Sequence, residues 1–331
     1  MKKVLRTLAV VMTIAIFGVM VMGSGSDSSS SSSTTAAVSE TMATVQPNEK
    51  AEETEAAKEA ETTTEATTEA PTEAAKGAID FPATVLVDND SIYFEVKSIE
   101  WDSIWGYTLK CICENKTDKE LMFSARDGYV NGWQCDPLWA STVAAGKKSN
   151  ESLSFSKDKL EECGIDEITN ITFVLHVYDS NDWLADPVED NEYTIYPLGE
   201  DADKEYKREA QATDEVLVDN DNVTITITNK SIDKIWGYKL EVFLENKTDK
   251  HLMFSVHDAS VNGFMCDPFF ASSLKGGKKA MVSITWGEST LAEQGLTPET
   301  VEELEIPFKV YDENNFMADP VLEETYTVKA K

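Results

Sequence analysis

Trp236, Tyr238, Leu240, Val242 and Leu244 alternate with more polar neighbours, the two-residue period of a half-buried strand. The same period runs through Trp105, Tyr107, Leu109, Cys111 and Cys113. Each run is followed by Asn-Lys-Thr-Asp-Lys, the residue types of a tight turn, and then by a second alternating stretch, Leu121 and Phe123 in one case and Leu252 and Phe254 in the other. The phrase therefore predicts strand, turn, strand, with Trp105 and Trp236 at the head of a buried face. Asn131-Gly132 and Asn262-Gly263 predict two-residue hairpins, because a type I′ turn needs positive φ at both central positions.

The repetition extends along the chain. Val87-Asp88-Asn89-Asp90 returns as Val218-Asp219-Asn220-Asp221, 131 residues later, and Gly146-Lys147-Lys148 returns as Gly277-Lys278-Lys279. Between Ile104 and Pro137, 22 of 34 positions are identical in the second copy. Val177-Tyr178-Asp179 returns as Val310-Tyr311-Asp312 at an offset of 133, so the second copy carries a two-residue insertion. Further strands are predicted over 91–100, 152–155 with 282–286, 171–178 with 306–311, and 193–196 with 326–328. Short helices are predicted over 156–164, with Ser156 as N-cap and Gly164 as its stop, and over 290–295. A period this long makes each copy a domain with its own core, and about seven strands in about 115 residues indicate a β-sandwich. The expected class is all-β: two tandem immunoglobulin-like β-sandwich domains, at 81–197 and 214–331, joined by a polar linker at 198–213.

The first 80 residues change character. Lys2, Lys3 and Arg6 precede an apolar run from Leu8 to Met22 and small residues at Gly23, Ser24 and Gly25, the layout of a secretory signal peptide over 1–23. The run also resembles a bacterial lipoprotein signal, but Ser24 stands where a lipidated cysteine would. Residues 24–80 are Ser, Thr, Ala and Glu with almost no aromatic content, which predicts a disordered stalk. The expected location is extracellular or at the cell surface, with membrane contact only through the N-terminal segment if it stays uncleaved.

The formal net charge is −31 and the pI about 4.3. Such a surface repels phosphate backbones, so no nucleic-acid partner is expected. Five cysteines in a chain of this size do not suggest a disulfide framework. Cys111 and Cys113 align with Val242 and Leu244, so they read as small buried apolar residues. The pattern WGYxLxVxLENKTDKxLMFSxxDxxVNG, with DPxxA, GKK and FxLxVYD, resembles uncharacterised secreted or lipoprotein-like surface proteins of Gram-positive bacteria. The resemblance covers residues 81–331. It implies immunoglobulin-like domains behind an export signal and a Ser/Thr/Glu-rich spacer, and carries no activity.

Catalysis has little to stand on. His176, His251 and His257 align with Lys309, Glu120 and Arg126, and no nucleophile motif, HExxH, CxxC or phosphate loop is present. The chain reads as a non-enzyme without cofactor. Asp88-Asn89-Asp90, Asp179 with Asp182 and Asp186, and their second copies supply oxygens that calcium favours, but Asp and Asn are also the residues of β-turns, the reading preferred here. No metal site is assigned. Aromatics beside turns are the remaining signal: Trp133, Trp139 and Trp183 align with Phe264, Phe270 and Phe316. They either cap the sandwich core or bind a ligand, an extracellular protein or peptide, or a glycan stacked on the rings.

Overall fold

The computed structural model describes residues 79–330. The expected signal segment and nearly all of the expected stalk lie outside the described residues. Ile79, assigned above to the stalk, belongs to the fold: its amide donates to Ile99 O at 3.1 Å and its side chain packs against the first core.

In the first repeat the elements run β1 (Thr84–Asp88), β2 (Ile92–Asp102), β3 (Gly106–Asn115), β4 (Leu121–Val130), β5 (Trp133–Gln134), β6 (Ala140–Val143), β7 (Lys148–Phe155), α1 (Lys157–Glu162), β8 (Ile171–Asp179) and β9 (Glu189–Ile195). One sheet has the order β1-β2-β3-β7; the facing sheet runs β6-β4-β8-β9, with β5 on the end of β4. The chain crosses between sheets after β3, returns after β6, and crosses again after α1. With β2 taken as strand A, this is A-B-E against C′-C-F-G, the Greek-key plan of immunoglobulin-like sandwiches, with β1 added outside A. The second repeat follows the same path through β10 (Glu215–Asp219), β11 (Val223–Asp233), β12 (Gly237–Asn246), β13 (Leu252–Val256), β14 (Ser260–Val261), β15 (Phe264–Met265), β16 (Ala271–Leu274), β17 (Lys279–Trp286), α2 (Glu288–Glu293), β18 (Glu303–Asp312) and β19 (Leu322–Lys329). The helices stop at Gly164 and Gly295, both with positive φ.

Each sandwich closes on its own core. Phe94, Leu109, Cys111, Cys113 and Phe155 meet Phe123, Phe173, Leu175 and Val177 in the first; Ile225, Leu240, Val242 and Leu244 meet Phe254, Ile306, Phe308 and Val310 in the second. All five cysteines are buried free thiols. The Asn-Lys-Thr-Asp-Lys turn is fixed by a buried asparagine. Asn115 Oδ1 accepts from the Thr117 amide and hydroxyl, while its Nδ2 donates to Lys119 O and Val143 O. Asn246 makes the same four bonds with Thr248, Lys250 and Leu274. Asn131-Gly132 and Asn262-Gly263 have φ of 51°, 82°, 52° and 81°, the predicted type I′ geometry.

The sequence places Trp105 and Trp236 in the core, and the structure places them outside, both more than half exposed. The reason is the glycine that follows each. Gly106 and Gly237 sit at φ +87° and +84°, and a Cβ there would come within 2.4 Å of Phe155 O and 2.3 Å of Trp286 O. The left-handed step turns the backbone, so the alternation that buries Tyr107 and Tyr238 does not reach the residue before the glycine.

The repeats share a seam. The Lys279 amide donates to Gly132 O at 3.0 Å, and β17 runs parallel to β5 there, joining two sheets into one of nine strands. Phe243 and Met281, on the outer face of β12 and β17, are buried in the first core, and Tyr129 is buried in the second. Lys159 Nζ donates to Met281 O at 2.6 Å, and Lys275 Nζ is paired with Glu192. The linker covers the rim: Tyr206 O accepts from Lys279 Nζ, and the Arg208 guanidinium, paired through both nitrogens with Asp214, lies 5.6 Å from the Phe243 ring.

Candidate functional site: the apolar turns

The six aromatics singled out from the sequence separate into two groups. Trp133 is only 2% exposed, with its ring 5.4 Å from that of Phe243, so it serves the seam and offers no ligand surface. Phe270 is buried edge-on against Phe308, their centroids 6.1 Å apart. Trp139 is half-buried on Phe94, and its Nε1 donates to Glu151 Oε2 at 3.3 Å. These three cap cores or a joint. Trp183, Phe316 and Phe264 are exposed, at 54%, 57% and 50%.

Trp183 and Phe316 occupy the tip of the β8–β9 loop and its equivalent, each followed by another exposed apolar residue, Leu184 or Met317. The loops are stiffened from below. Asp179 Oδ1 accepts from the Asn181 amide at 3.0 Å, the Asp182 amide donates to Asp179 O, and that of Ala185 to Asp182 O. Asp312, Asn314, Asn315 and Ala318 repeat this arrangement. The Lys119 ammonium, 2.9 Å from Asp179, holds that carboxyl below its usual range and ties the loop to the Asn-Lys-Thr-Asp-Lys turn.

The opposite end of each sandwich presents a second pair, Ile104-Trp105 and Ile235-Trp236, whose tryptophans the two-residue period alone would turn inward. Asp102 Oδ1 accepts from the amides of Ile104 and Trp105 at 2.7 and 2.8 Å; Asp233 does the same for Ile235 and Trp236 at 2.7 and 2.9 Å. Those amides lower both aspartate pKa values. The signal was present in the sequence: an aspartate two or three residues before the pair and a glycine directly after it.

The acidic stretches act as turns. Asn89 Oδ1 accepts from the Ser91 and Ile92 amides, and Asp88 pairs with Lys116; Asn220 and Asp219 do the same with Asn222, Val223 and Lys247. Among the described residues, no group of three or more His, Cys, Asp or Glu is placed to hold a metal ion. His251 Nε2 lies 2.8 Å from Ser273 Oγ, with Glu313 beside both. Glu313 approaches the same ring nitrogen and also takes the serine proton, whereas a hydrolytic triad needs its carboxylate on Nδ1, orienting the ring toward the serine. His176 Nδ1 meets Asp190 at 3.0 Å on the β8–β9 face, and His257 is exposed. Two equivalent hollows over Tyr107 and Tyr238, of about 220 and 180 Å³, fall short of the several hundred Å³ of small-molecule pockets. No described helix is long and apolar enough to cross a membrane.

No family model and no curated protein matches the chain. Among solved structures it is similar to the chaperone YadV, at 10% identity and a TM-score of 0.20, over 67% of this chain and 92% of the chaperone. It is also similar to the exo-chitosanase CsxA of Amycolatopsis orientalis, at 13% identity and TM-scores of 0.19 and 0.20 in two structures, over 70% and 67% of this chain. The chain spans about a quarter of the chitosanase's length (26% and 25%). Superpositions this loose assign neither activity nor partner.

Proposed function

We propose that this is a non-enzymatic binding or display protein, exported to the cell surface or beyond, whose two sandwich modules offer apolar turns to an extracellular protein or peptide. One observation carries the reading. Each repeat exposes two neighbouring apolar side chains at each end, on turns locked by aspartate–amide hydrogen bonds. Large apolar groups held rigidly in solvent lose little conformational freedom on contact, and aromatic anchors of this kind dominate protein interfaces. The N-terminal segment and the resemblance to secreted Gram-positive surface proteins support export.

A second reading, a carbohydrate-binding surface, draws on Trp183, an exposed flat ring between Asp182 and Leu184 with Asp186 close in sequence. The test is a pull-down from envelope and host extracts with the full chain and with the Trp183→Ala/Phe316→Ala variant. A partner retained by the wild type and lost by the variant supports the protein-binding reading. Equal capture by both overturns the role of these loops, and a positive glycan array without a protein partner favours the carbohydrate reading.

A further inference from the structure

The seam between the repeats uses two surfaces, and each has a bare counterpart in the other repeat. On the first repeat, the Asn131-Gly132 turn gives Gly132 O to the Lys279 amide, and Trp133 beside it is covered by Phe243. On the second repeat the same turn recurs at Asn262-Gly263 with the same φ values. Among the described residues no backbone amide donates to Gly263 O. Phe264 and Met265, where the covered Trp133 and its neighbour stand in the first repeat, are 50% and 59% exposed, and Phe269 nearby is exposed too.

Among the described residues, the complementary surface on the first repeat has no strand paired against it. β17, which docks at the seam, has its equivalent in β7, an edge strand of the first sheet. Gly146-Lys147-Lys148 stands where Gly277-Lys278-Lys279 does. In both copies the carbonyl preceding the edge lysine points inward and is used identically, Lys147 O accepting from the Asn115 amide and Lys278 O from the Asn246 amide. The register therefore places the Lys148 amide on the outer side of β7, as the Lys279 amide is on β17. The far end of each strand is bridged alike, Ser154 to Leu138 and Thr285 to Phe269. An edge amide beside a half-buried isoleucine is a ready partner for a carbonyl beside an exposed phenylalanine.

We propose that the Asn262–Met265 end of the second repeat docks the β7 edge of a second copy of this chain, so that copies join head to tail by repeating the internal seam. Gly263 O accepts from the partner copy's edge amide, and Phe264 covers the outer face of its β3 in the way Trp133 meets Phe243. The joint is thinner than the internal one. Phe264 replaces Trp133, Ile112 replaces Phe243, Asn150 replaces Met281, and Ala144 stands where Lys275 pairs with Glu192. It also brings together chains of net charge −31, so it strengthens as salt screens their repulsion. The two surfaces are different patches on one molecule, so the contact is heterologous and forms open rows unless the rotation between copies closes a ring.

Sedimentation equilibrium of the full chain tests this. The wild type is expected to gain average mass with protein concentration and with salt, past the dimer. Two blocked chains are then compared: Phe264→Asp/Met265→Asp, which spoils the receiving end, and Lys148→Pro, which removes the edge amide where proline is tolerated. Ile112→Asp, on the outer face of β3, serves as a second edge block should Lys148→Pro fold poorly by circular dichroism. Each blocked chain alone is expected to be monomeric, while an equimolar mixture of one from each class forms dimers and nothing larger. A wild type that stays monomeric at its highest soluble concentration in high salt overturns the proposal. So do association that survives in each blocked chain, as it would if the apolar N-terminal run drove it, and a mixture that fails to restore the dimer.

Discussion

Trp133 of the first repeat lies against Phe243 of the second, ring centroids 5.4 Å apart and planes at 46°, although their equivalents Phe264 and Ile112 meet no such partner within the chain. Position in the repeat does not decide what these residues do; the neighbour does. Trp133→Ala empties a buried site shared by both sandwiches and is expected to cost about 3–5 kcal/mol. Phe264→Ala, at the equivalent exposed position, is expected to change stability by less than about 0.5 kcal/mol. Urea denaturation of the two variants checks this, and equal effects would place the seam elsewhere.

The turn before β3 and β12 gives a second contrast between adjacent residues. Trp236→Ala removes an exposed ring and is expected to cost under about 0.5 kcal/mol. Gly237→Ala puts a Cβ at φ +84° within 2.3 Å of Trp286 O, and is expected to cost at least about 2 kcal/mol. Thermal or chemical unfolding distinguishes them; a larger loss for the tryptophan would return it to the core.

Much of this architecture was legible because the chain states it twice. Two-residue alternation located the strands, and asparagine–glycine pairs located the hairpins, since few other residues tolerate those angles. The outward swing of Trp105 and Trp236 was not legible from period alone. It depends on how closely Phe155 O and Trp286 O approach the following glycine, a contact between segments far apart in sequence. The seam left a trace in the apolar run Val242-Phe243-Leu244, where a one-sided strand would carry a polar middle residue, but nothing local said what covers Phe243. Of the six aromatics chosen from the sequence, the ones left exposed differ from the rest in tertiary neighbours, which residue type does not encode.

Asn115 and Asn246 look like glycosylation acceptors in sequence, and each is wholly buried. Replacing either with alanine leaves two carbonyls and a turn amide without their partner. The expected cost is about 1–3 kcal/mol for each buried group left unsatisfied. Equilibrium unfolding of Asn115→Ala and Asn246→Ala checks it, and a neutral result would mean that water replaces the side chain.

The buried thiols differ in how readily they ionise. Burial pushes Cys111 up to about 12 and raises Cys113 as well. The Cys135 and Cys163 thiols are hydrogen-bonded to each other, which favours ionisation of one thiol of the pair, and the Lys159 ammonium acts in the same direction. Thiolate is the reactive form and access decides within the pair, so Cys163, 8% exposed against 1% for Cys135, is expected to alkylate first in the native protein at pH 8, and Cys111 and Cys113 last. Peptide mapping after timed iodoacetamide exposure reads the order, and early labelling of Cys111 would contradict the burial of β3.

Acid sensitivity follows from the β8–β9 face. His176 Nδ1 and the Arg126 guanidinium, 3.0 and 2.6 Å from Asp190 Oδ1, hold that carboxyl down to about 2, the hydrogen bond from His176 contributing most. In the unfolded chain an aspartate titrates near 3.9. Between those values the unfolded state binds the proton and the folded state does not, so acid favours unfolding there. The stabilisation is present above about pH 4 and is lost as pH falls toward 2. Asp190 is partly exposed, so solvent screens the pair and its contribution is modest. Asp190→Asn cannot ionise, so the stability gap between wild type and variant is expected to narrow over that interval and to stay constant above it. Urea midpoints measured from pH 2 to 6 trace the gap, and a gap unchanged across the interval would show that the carboxylate is not held by these two partners.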